Sequence, residues 1–296
     1  MKATEASTTA KVIAASTVLL ASRPADRALV PAGAAELSRH FLSTSWADRC
    51  LSRSVSSPWT RWFWRGLERL THPGIMRHYL LRKGWIEAQC RLALQQGVGR
   101  VIIIGAGLDT LALRLASHYP DVDWLEIDHP ATQDFKRRGL AHAGVQLPGN
   151  LTLLSVDLST APLPADLMKD ARPTLVVIEG VLMYLKEAEV AALLRDQVRA
   201  LSVAPVRLIF SHMVRWPHGR AGFRPTSWWV DRWLDWRDEP FQWTMSPGTL
   251  EPWLQGLGFE LLRQAEPPFT TEAAEPQDGL KGENLVMCVA KHRGAE

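Results

Sequence analysis

No stretch of this 296-residue sequence approaches the roughly 18 consecutive apolar residues that a membrane-spanning helix needs. The apolar run at 11–21, KVIAASTVLLA, is short, weakly basic in its flank and interrupted by Ser16 and Thr17, so it reads as an amphipathic first helix and not as a secretory signal. Cysteine is scarce. Cys50, Cys90 and Cys288 stand far apart with no CxxC pair, which argues against a zinc site or a disulfide framework and fits a reducing compartment. An excess of one charge is missing too: 34 Lys and Arg face 31 Asp and Glu, spread along the chain, so no nucleic-acid partner is expected. These absences describe a cytoplasmic enzyme-like chain with no metal, no membrane and no nucleic acid, its oligomeric state left open. What is present is ample apolar content, 46%, enough for one large domain or for a core with a helical appendage. Tryptophan is abundant at 13 residues, which suits either core packing or a wide aromatic pocket.

Residues 1–95 contain no strand-like run and read as helices near 5–22, 32–43, 59–70 and 74–96. The pattern changes at Gly99. GRVIIIG, VDWLEID (122–128), NLTLLSVDL (150–158), PTLVVIEG (173–180) and VRLIFSH (206–212) are short β-branched runs, separated by helical stretches at 109–118, 130–143 and 186–201. That alternation predicts βαβ units and a parallel sheet. Residues 213–245 carry Trp216, Trp228, Trp229, Trp233, Trp236 and Trp243 with no clean strand and read as an inserted lid. Trp229, Trp233 and Trp236 share one helical face, which suits docking onto the core or the lining of a pocket. A helix near 247–256, then FELLRQ (259–264) and NLVMCVAKH (284–292), read as the return to the sheet through an antiparallel pair.

The densest chemistry lies in VIIIGAGLDT. Gly105 and Gly107 follow a buried strand and precede a helix, where glycine allows a tight turn and lets a ligand approach the backbone. Twenty-one residues after Gly107, Asp128 closes the second strand, where an acid accepts hydrogen bonds from a ribose. A dinucleotide fingerprint would want a small residue where Thr110 stands, and the carboxylate of Asp109 would compete with a pyrophosphate at the helix start. S-adenosylmethionine (SAM) has no phosphate and carries two cationic groups, so Asp109 favours it; alternatively, Asp109 only caps the helix. Asp157 ends the third strand segment and Glu179 the fourth. With Asp128 they set three carboxylates at successive strand ends, as a polar cationic ligand would require.

GAGLDT, LEIDHPATQDFKRRGL, SVDL and EGVLMYL, in that order, resemble the leucine carboxyl methyltransferase superfamily, which includes bacterial O-methyltransferases of polyketide-type small molecules. The resemblance spans about 75–200 and fades before 70 and after 212. It implies an α/β, Rossmann-like class I SAM methyltransferase fold with a seven-stranded, mostly parallel sheet. It also implies an N-terminal helical lid, 1–95, and a SAM-binding core, 96–296, interrupted by a Trp-rich lid insertion at 213–246. By position, the resemblance puts Gly105 and Gly107 at the methionine moiety, Asp128 at the ribose, Asp157 and Leu158 at the adenine, and Glu179 near the methionine end. Arg82, in LLRKG, matches an arginine that pairs with the SAM carboxylate, and Lys11, in TTAK, a basic residue that closes over the cofactor. Two departures bear on the acceptor side: Leu111 where the family often has arginine, with Arg114 a turn later, and Ser211–His212 where an acid is common.

The implied reaction is methyl transfer to a carboxylate or hydroxyl oxygen of a small, natural-product-type molecule, part of secondary metabolite biosynthesis. Such an in-line displacement asks the protein mainly to position the acceptor and exclude water. Were a base required, His212, His129 and Tyr184 are the candidates, although Tyr184 also suits packing beneath the site and each histidine a surface or helix-start place. Tyr184, Ser211 and His212 are therefore the candidate catalytic residues. A rival reading is a SAM cyclase that forms azetidine-2-carboxylate and methylthioadenosine, with Tyr184 over the sulfonium and Ser211 or Asn150 orienting the amine. A third is a non-catalytic SAM sensor. Methylation of a protein carboxyl terminus is disfavoured, because the Trp-rich insertion reads as a closed aromatic pocket.

Overall fold

All five residues of β1 (Arg100–Ile104) are buried, as are all five of β4 (Thr174–Ile178), so both faces of the sheet must be covered. In this computed structural model the described residues are 7–158, 160–216, 221–224, 241–269 and 280–291. With β2 (Asp123–Asp128), β3 (Leu151–Ser155), β5 (Val206–Val214), β7 (Phe259–Ala265) and β8 (Glu283–Ala290), the sheet runs in the order β3-β2-β1-β4-β5-β8-β7. Pairings from β3 to β5 are parallel, while β8 is antiparallel to both β5 and β7. This is the class I methyltransferase arrangement, and its strand order reverses between β1 and β4. The crevice at the carboxyl ends of those strands is where such a sheet receives a ligand.

Among the described residues the sheet has eight strands where the sequence suggested seven. β5 continues to Val214, beyond its last pairing with β4 at Phe210, and the edge left open is taken by the two-residue β6 (Thr244–Met245), in a segment read as strand-free. Alternate strand residues feed two cores. Val101, Ile103, Val177 and Ile209 pack with Trp85, Trp124 and Phe41 on one face; Ile102, Val176, Leu208 and Phe210 pack with Leu194, Leu254 and Trp243 on the other.

Five helices precede β1: α1 (Thr8–Ala21), α2 (Ala34–Phe41), α3 (Trp46–Ser56), α4 (Arg61–Thr71) and α5 (Ile75–Gln95). The sequence reading missed α3 because only Asp48 and Val55 of its residues are buried, too few to print an apolar stripe. Its start was legible, since the Ser45 hydroxyl accepts from Asp48 N at 3.1 Å and donates to Asp48 Oδ2 at 2.6 Å, a capping exchange. α6 (Leu111–Leu115) follows the glycine turn, and α7 (Pro130–His142) returns over α2. The contact is close enough that a Cβ at Gly139 would lie 2.8 Å from Phe41 Cα. The stretch 186–201, read as one helix, is α-helical only over α8 (Glu187–Ala192) and widens into a π turn at Leu193–Gln197. α9 (Leu250–Gly256) leads into β7. Among the described residues no helix is long and apolar enough to cross a membrane.

Candidate cofactor and active site

The turn leaving β1 is held to β2 by Gly105 N, which donates to Ile127 O at 2.8 Å. Gly105 has φ +70°, and a Cβ there would fall 2.2 Å from Val181 Cγ2, so conformation and space both demand glycine. Gly107 N donates to Asp128 Oδ2, and His129 N donates to Asp128 Oδ1 at 2.6 Å. Asp128 is thereby fixed at the end of β2 with lone pairs to spare. Burial pushes its carboxyl above the ordinary carboxylate value, against the two backbone N–H groups that favour the charge.

Beyond Asp128 the turn meets a buried chain of charges built on α5. His78 and Arg82 stand one helical turn apart and both reach Glu283, the first residue of β8. His78 Nε2 lies 2.8 Å from Glu283 Oε2, and Arg82 Nη1 donates to both Glu283 oxygens at 2.7 Å. The other side of the same guanidinium holds Glu179, with Nε at 2.9 Å and Nη2 at 2.7 Å from Oε1. Lys83 Nζ continues the chain, 3.2 Å from Glu179 Oε2 and bonded to Asp109 Oδ2. Asp109 Oδ1 accepts from Leu111 N at 2.5 Å.

Burial alone would raise the Asp109 carboxyl, but Lys83 beside it holds it well below the usual carboxylate range. For Glu283, burial is likewise outweighed by Arg82 and His78, which lower its pKa to about 2. Burial disfavours the Arg82 charge, and Glu283 with Glu179 more than restore it. Three carboxylates, Asp109, Glu179 and Glu283, here meet three basic side chains, His78, Arg82 and Lys83. A buried chain of paired charges of this kind is suited to the zwitterionic end of a ligand.

Arg82, Asp109, Glu179, Gly105, Gly107 and Asp128 are thus brought to one end of the sheet. Asp109 accepts at the helix start, as the capping alternative has it, and its other oxygen is held by Lys83. Lys83 offsets the charge of Asp109, so that charge alone is a weaker barrier to a pyrophosphate. His78, Lys83 and Glu283 went unread in the sequence. Lys83 adjoins Arg82 and was open to notice, whereas Glu283 lies 201 residues from Arg82 and only the fold joins them.

The remaining candidate residues each have partners of their own. Lys11 turns to Asp48 at 3.0 Å and over the Phe135 ring at 4.3 Å, so its ammonium is spent tying α1 to α3. Ser211, fully buried, accepts from Gly180 N at 2.9 Å and so braces the turn after β4, a place that does not need it to orient an amine. Asn150 cannot orient that amine. It precedes β3, at the amino edge of the sheet, where its Nδ2 donates to Ala116, Tyr119 and Val122 carbonyls at 2.8–3.0 Å. His129 is a helix-start residue, its Nδ1 accepting from Ala131 N at 3.2 Å. His212 is buried between Phe210 and Trp243 on the second core face, and burial pushes its pKa below the ordinary histidine value. Tyr184, half-buried, packs 6.0 Å from Phe241. Asp157 lies two residues past β3, 3.7 Å from His129 Nε2, and Leu158 packs against the second core. Trp243, at 1% exposure and 5.2 Å from Trp253, is a packing residue, while Trp228, Trp229, Trp233 and Trp236 lie outside the described residues.

The model of the family described as leucine carboxyl methyltransferase matches residues 12–198, more than half of the chain. The chain belongs to that family. A relative from Mycolicibacterium smegmatis, named "Putative S-adenosyl-L-methionine-dependent methyltransferase", is 37% identical over 127 residues, 40% of either chain. One from Bacillus subtilis with the same description, YktD, is 31% identical over 121 residues, again 40% of each. The match thus spans about 40% of the length of these family relatives. Among solved structures, magnesium protoporphyrin IX methyltransferase of Synechocystis PCC 6803 with bound SAH superposes at a TM-score of 0.48 and 13% identity, covering 77% of this chain and 92% of that one. A protein from Bordetella parapertussis reaches 0.49 at 18%, covering 96% and 95%. Likeness at that level says nothing of substrate.

Proposed function

We propose that this protein is a SAM-dependent methyltransferase acting on a carboxylate or hydroxyl oxygen of a small molecule of natural-product type, in the cytoplasm. The observation that carries the reading is the buried chain of three carboxylates and three basic side chains beside the glycine turn. SAM brings a net positive charge and a zwitterionic amino-acid end, and it supplies an electrophilic methyl group that needs no further activation.

The residues present fit it. Asp128, aligned by two backbone N–H groups, suits a ribose diol. Glu179 and Asp109 suit an ammonium, and Arg82 or Lys83 a carboxylate, each by exchanging a partner it now holds. Asp157 and Leu158 are assigned to the adenine side. α1 packs against α5, with Ile13 and Thr17 beside the Lys83, Asp109 and Glu179 side chains. The N-terminal helices therefore act as a lid that excludes water from the transfer. A carboxylate acceptor is favoured over a phenol or amine. It needs no base, and the basic side chains at this site, His78, Arg82 and Lys83, are all bound to carboxylates.

The test is to incubate the full chain with methyl-labelled SAM, first alone and then with a panel of small carboxylic acids and phenols. Label transfer with release of S-adenosylhomocysteine is the expected result. Stoichiometric methylthioadenosine without any acceptor would instead establish cyclisation to azetidine-2-carboxylate. No heat of SAM binding by calorimetry would remove both enzymatic readings.

A further inference from the structure

α4 shows its apolar side to solvent. In an ordinary surface helix the apolar stripe faces the core, yet no described side chain of α4 is buried, and Trp62, Phe63, Leu67 and Leu70 are all among the exposed large apolar side chains of the protein. At 100° per residue these four fall within one sector of about 140°. Trp59, just before the helix, is the most exposed of all at 85%. What faces inward is Glu68 together with Trp64, whose ring packs against the first core. Glu68 lies 3.6 Å from Arg23 and accepts from Met76 N at 3.3 Å, and Trp64 donates to the Ser54 hydroxyl at 2.9 Å.

The charges sort in the same way. Along α3 and α4 the two acids, Asp48 and Glu68, are turned inward and paired with Lys11 and Arg23. Arg49, Arg53, Arg65 and Arg69 are exposed. An exposed helix with a Trp- and Leu-bearing face, arginine on its margin and no exposed acid has the design of an interfacial helix. Tryptophan sits at the headgroup level, where its ring is half in hydrocarbon and its N–H remains wet. Arginine adds attraction to anionic lipid that screening salt weakens.

We infer that α4, with Trp59 and the arginines of α3, docks this protein on an anionic lipid surface. This goes beyond the expectation of no membrane partner, which rested on the absence of a spanning run and did not weigh an interfacial helix. It does not depend on the methyl-transfer reading.

The experiment is co-sedimentation of the full chain with vesicles of pure phosphatidylcholine and of phosphatidylcholine with 30% phosphatidylglycerol, a fraction of about one lipid in three. Binding to the anionic vesicles is expected, with loss at about 0.5 M salt. Trp62→Ser with Leu70→Ser should weaken it by about tenfold or more, and Arg65→Glu with Arg69→Glu should abolish the preference for anionic lipid. SAM affinity by calorimetry, unchanged in both double variants, certifies the fold and separates this outcome from any failure of the enzymatic reading. Equal binding to both vesicle types, or to neither, overturns the proposal. So does a dimer in sedimentation equilibrium that Trp62→Ser with Leu70→Ser dissociates, since a second copy would then be what covers the face.

Discussion

Substitution of Gly105 by alanine isolates the backbone demand of the cofactor turn. The residue has φ +70°, and an L-residue held in that region costs about 1–2 kcal/mol. The new methyl would also lie 2.2 Å from Val181 Cγ2, 3.3 Å from its Cβ and 3.5 Å from its Cγ1. Val181 opens the turn that carries Leu182 into the core, so it cannot withdraw freely, and overpacking of this kind costs about 1–3 kcal/mol. We expect Gly105→Ala to destabilise the protein by about 3 kcal/mol. For a chain of 296 residues that lowers Tm by about 5 °C, at about 1.6 °C per kcal/mol. The two parts can be separated. Val181→Ala deletes both γ carbons but leaves the backbone angle untouched. The double variant should therefore be about 1–2 kcal/mol better than the sum of the single changes, and still worse than Val181→Ala alone. Urea unfolding of the four proteins reads this cycle directly. A Gly105→Ala protein within about 0.5 kcal/mol of the parent, or strict additivity in the double variant, would refute the reasoning.

Glu283→Gln removes a buried carboxylate whose pKa is depressed to about 2, so its ionised form stabilises the folded chain above the unfolded value near 4.3, and that contribution fades as pH falls toward 2. The stability gap between parent and variant should be about 3 kcal/mol at pH 7 and close progressively below pH 4.3, which urea unfolding at stepped pH would record. Lys136, buried with Glu126 and donating to Asp109 O at 2.6 Å, should be replaceable by methionine only at a cost of about 3–5 kcal/mol, because burial already pushes the Glu126 carboxyl up. Adding Glu126→Gln should return most of that loss in thermal unfolding. Arg82→Ala should weaken SAM binding about 10- to 100-fold by calorimetry, the value of one charge-assisted bidentate contact, with Arg82→Lys between the two.

The first four strands were readable because each is a short, mostly apolar run closed by glycine or an acid, and Asp128 and Glu179 were readable because they close such runs. α3 and β6 were not. α3 buries too few residues to print a pattern, and β6 exists only because β5 outruns β4 and leaves an edge open. Ser211 and Asn150 show the limit in another way. Both stand beside strands of the right domain, but a residue's partner depends on which edge and face it occupies, and those placed Ser211 under Gly180 and Asn150 at the opposite edge.

By itself the sequence determined the local chemistry: a glycine turn after a buried strand, an acid closing the next, and an arginine on the preceding helix, each placed by strand and helix periods. Only the tertiary structure decided how those charges are spent. Glu283 reaches Arg82 across 201 positions of chain, Lys83 pairs with Asp109 at the cofactor turn, and Lys11 is drawn away to Asp48. Ion pairing falls off with distance in space and is indifferent to distance along the chain, so it becomes visible only when the sheet has closed.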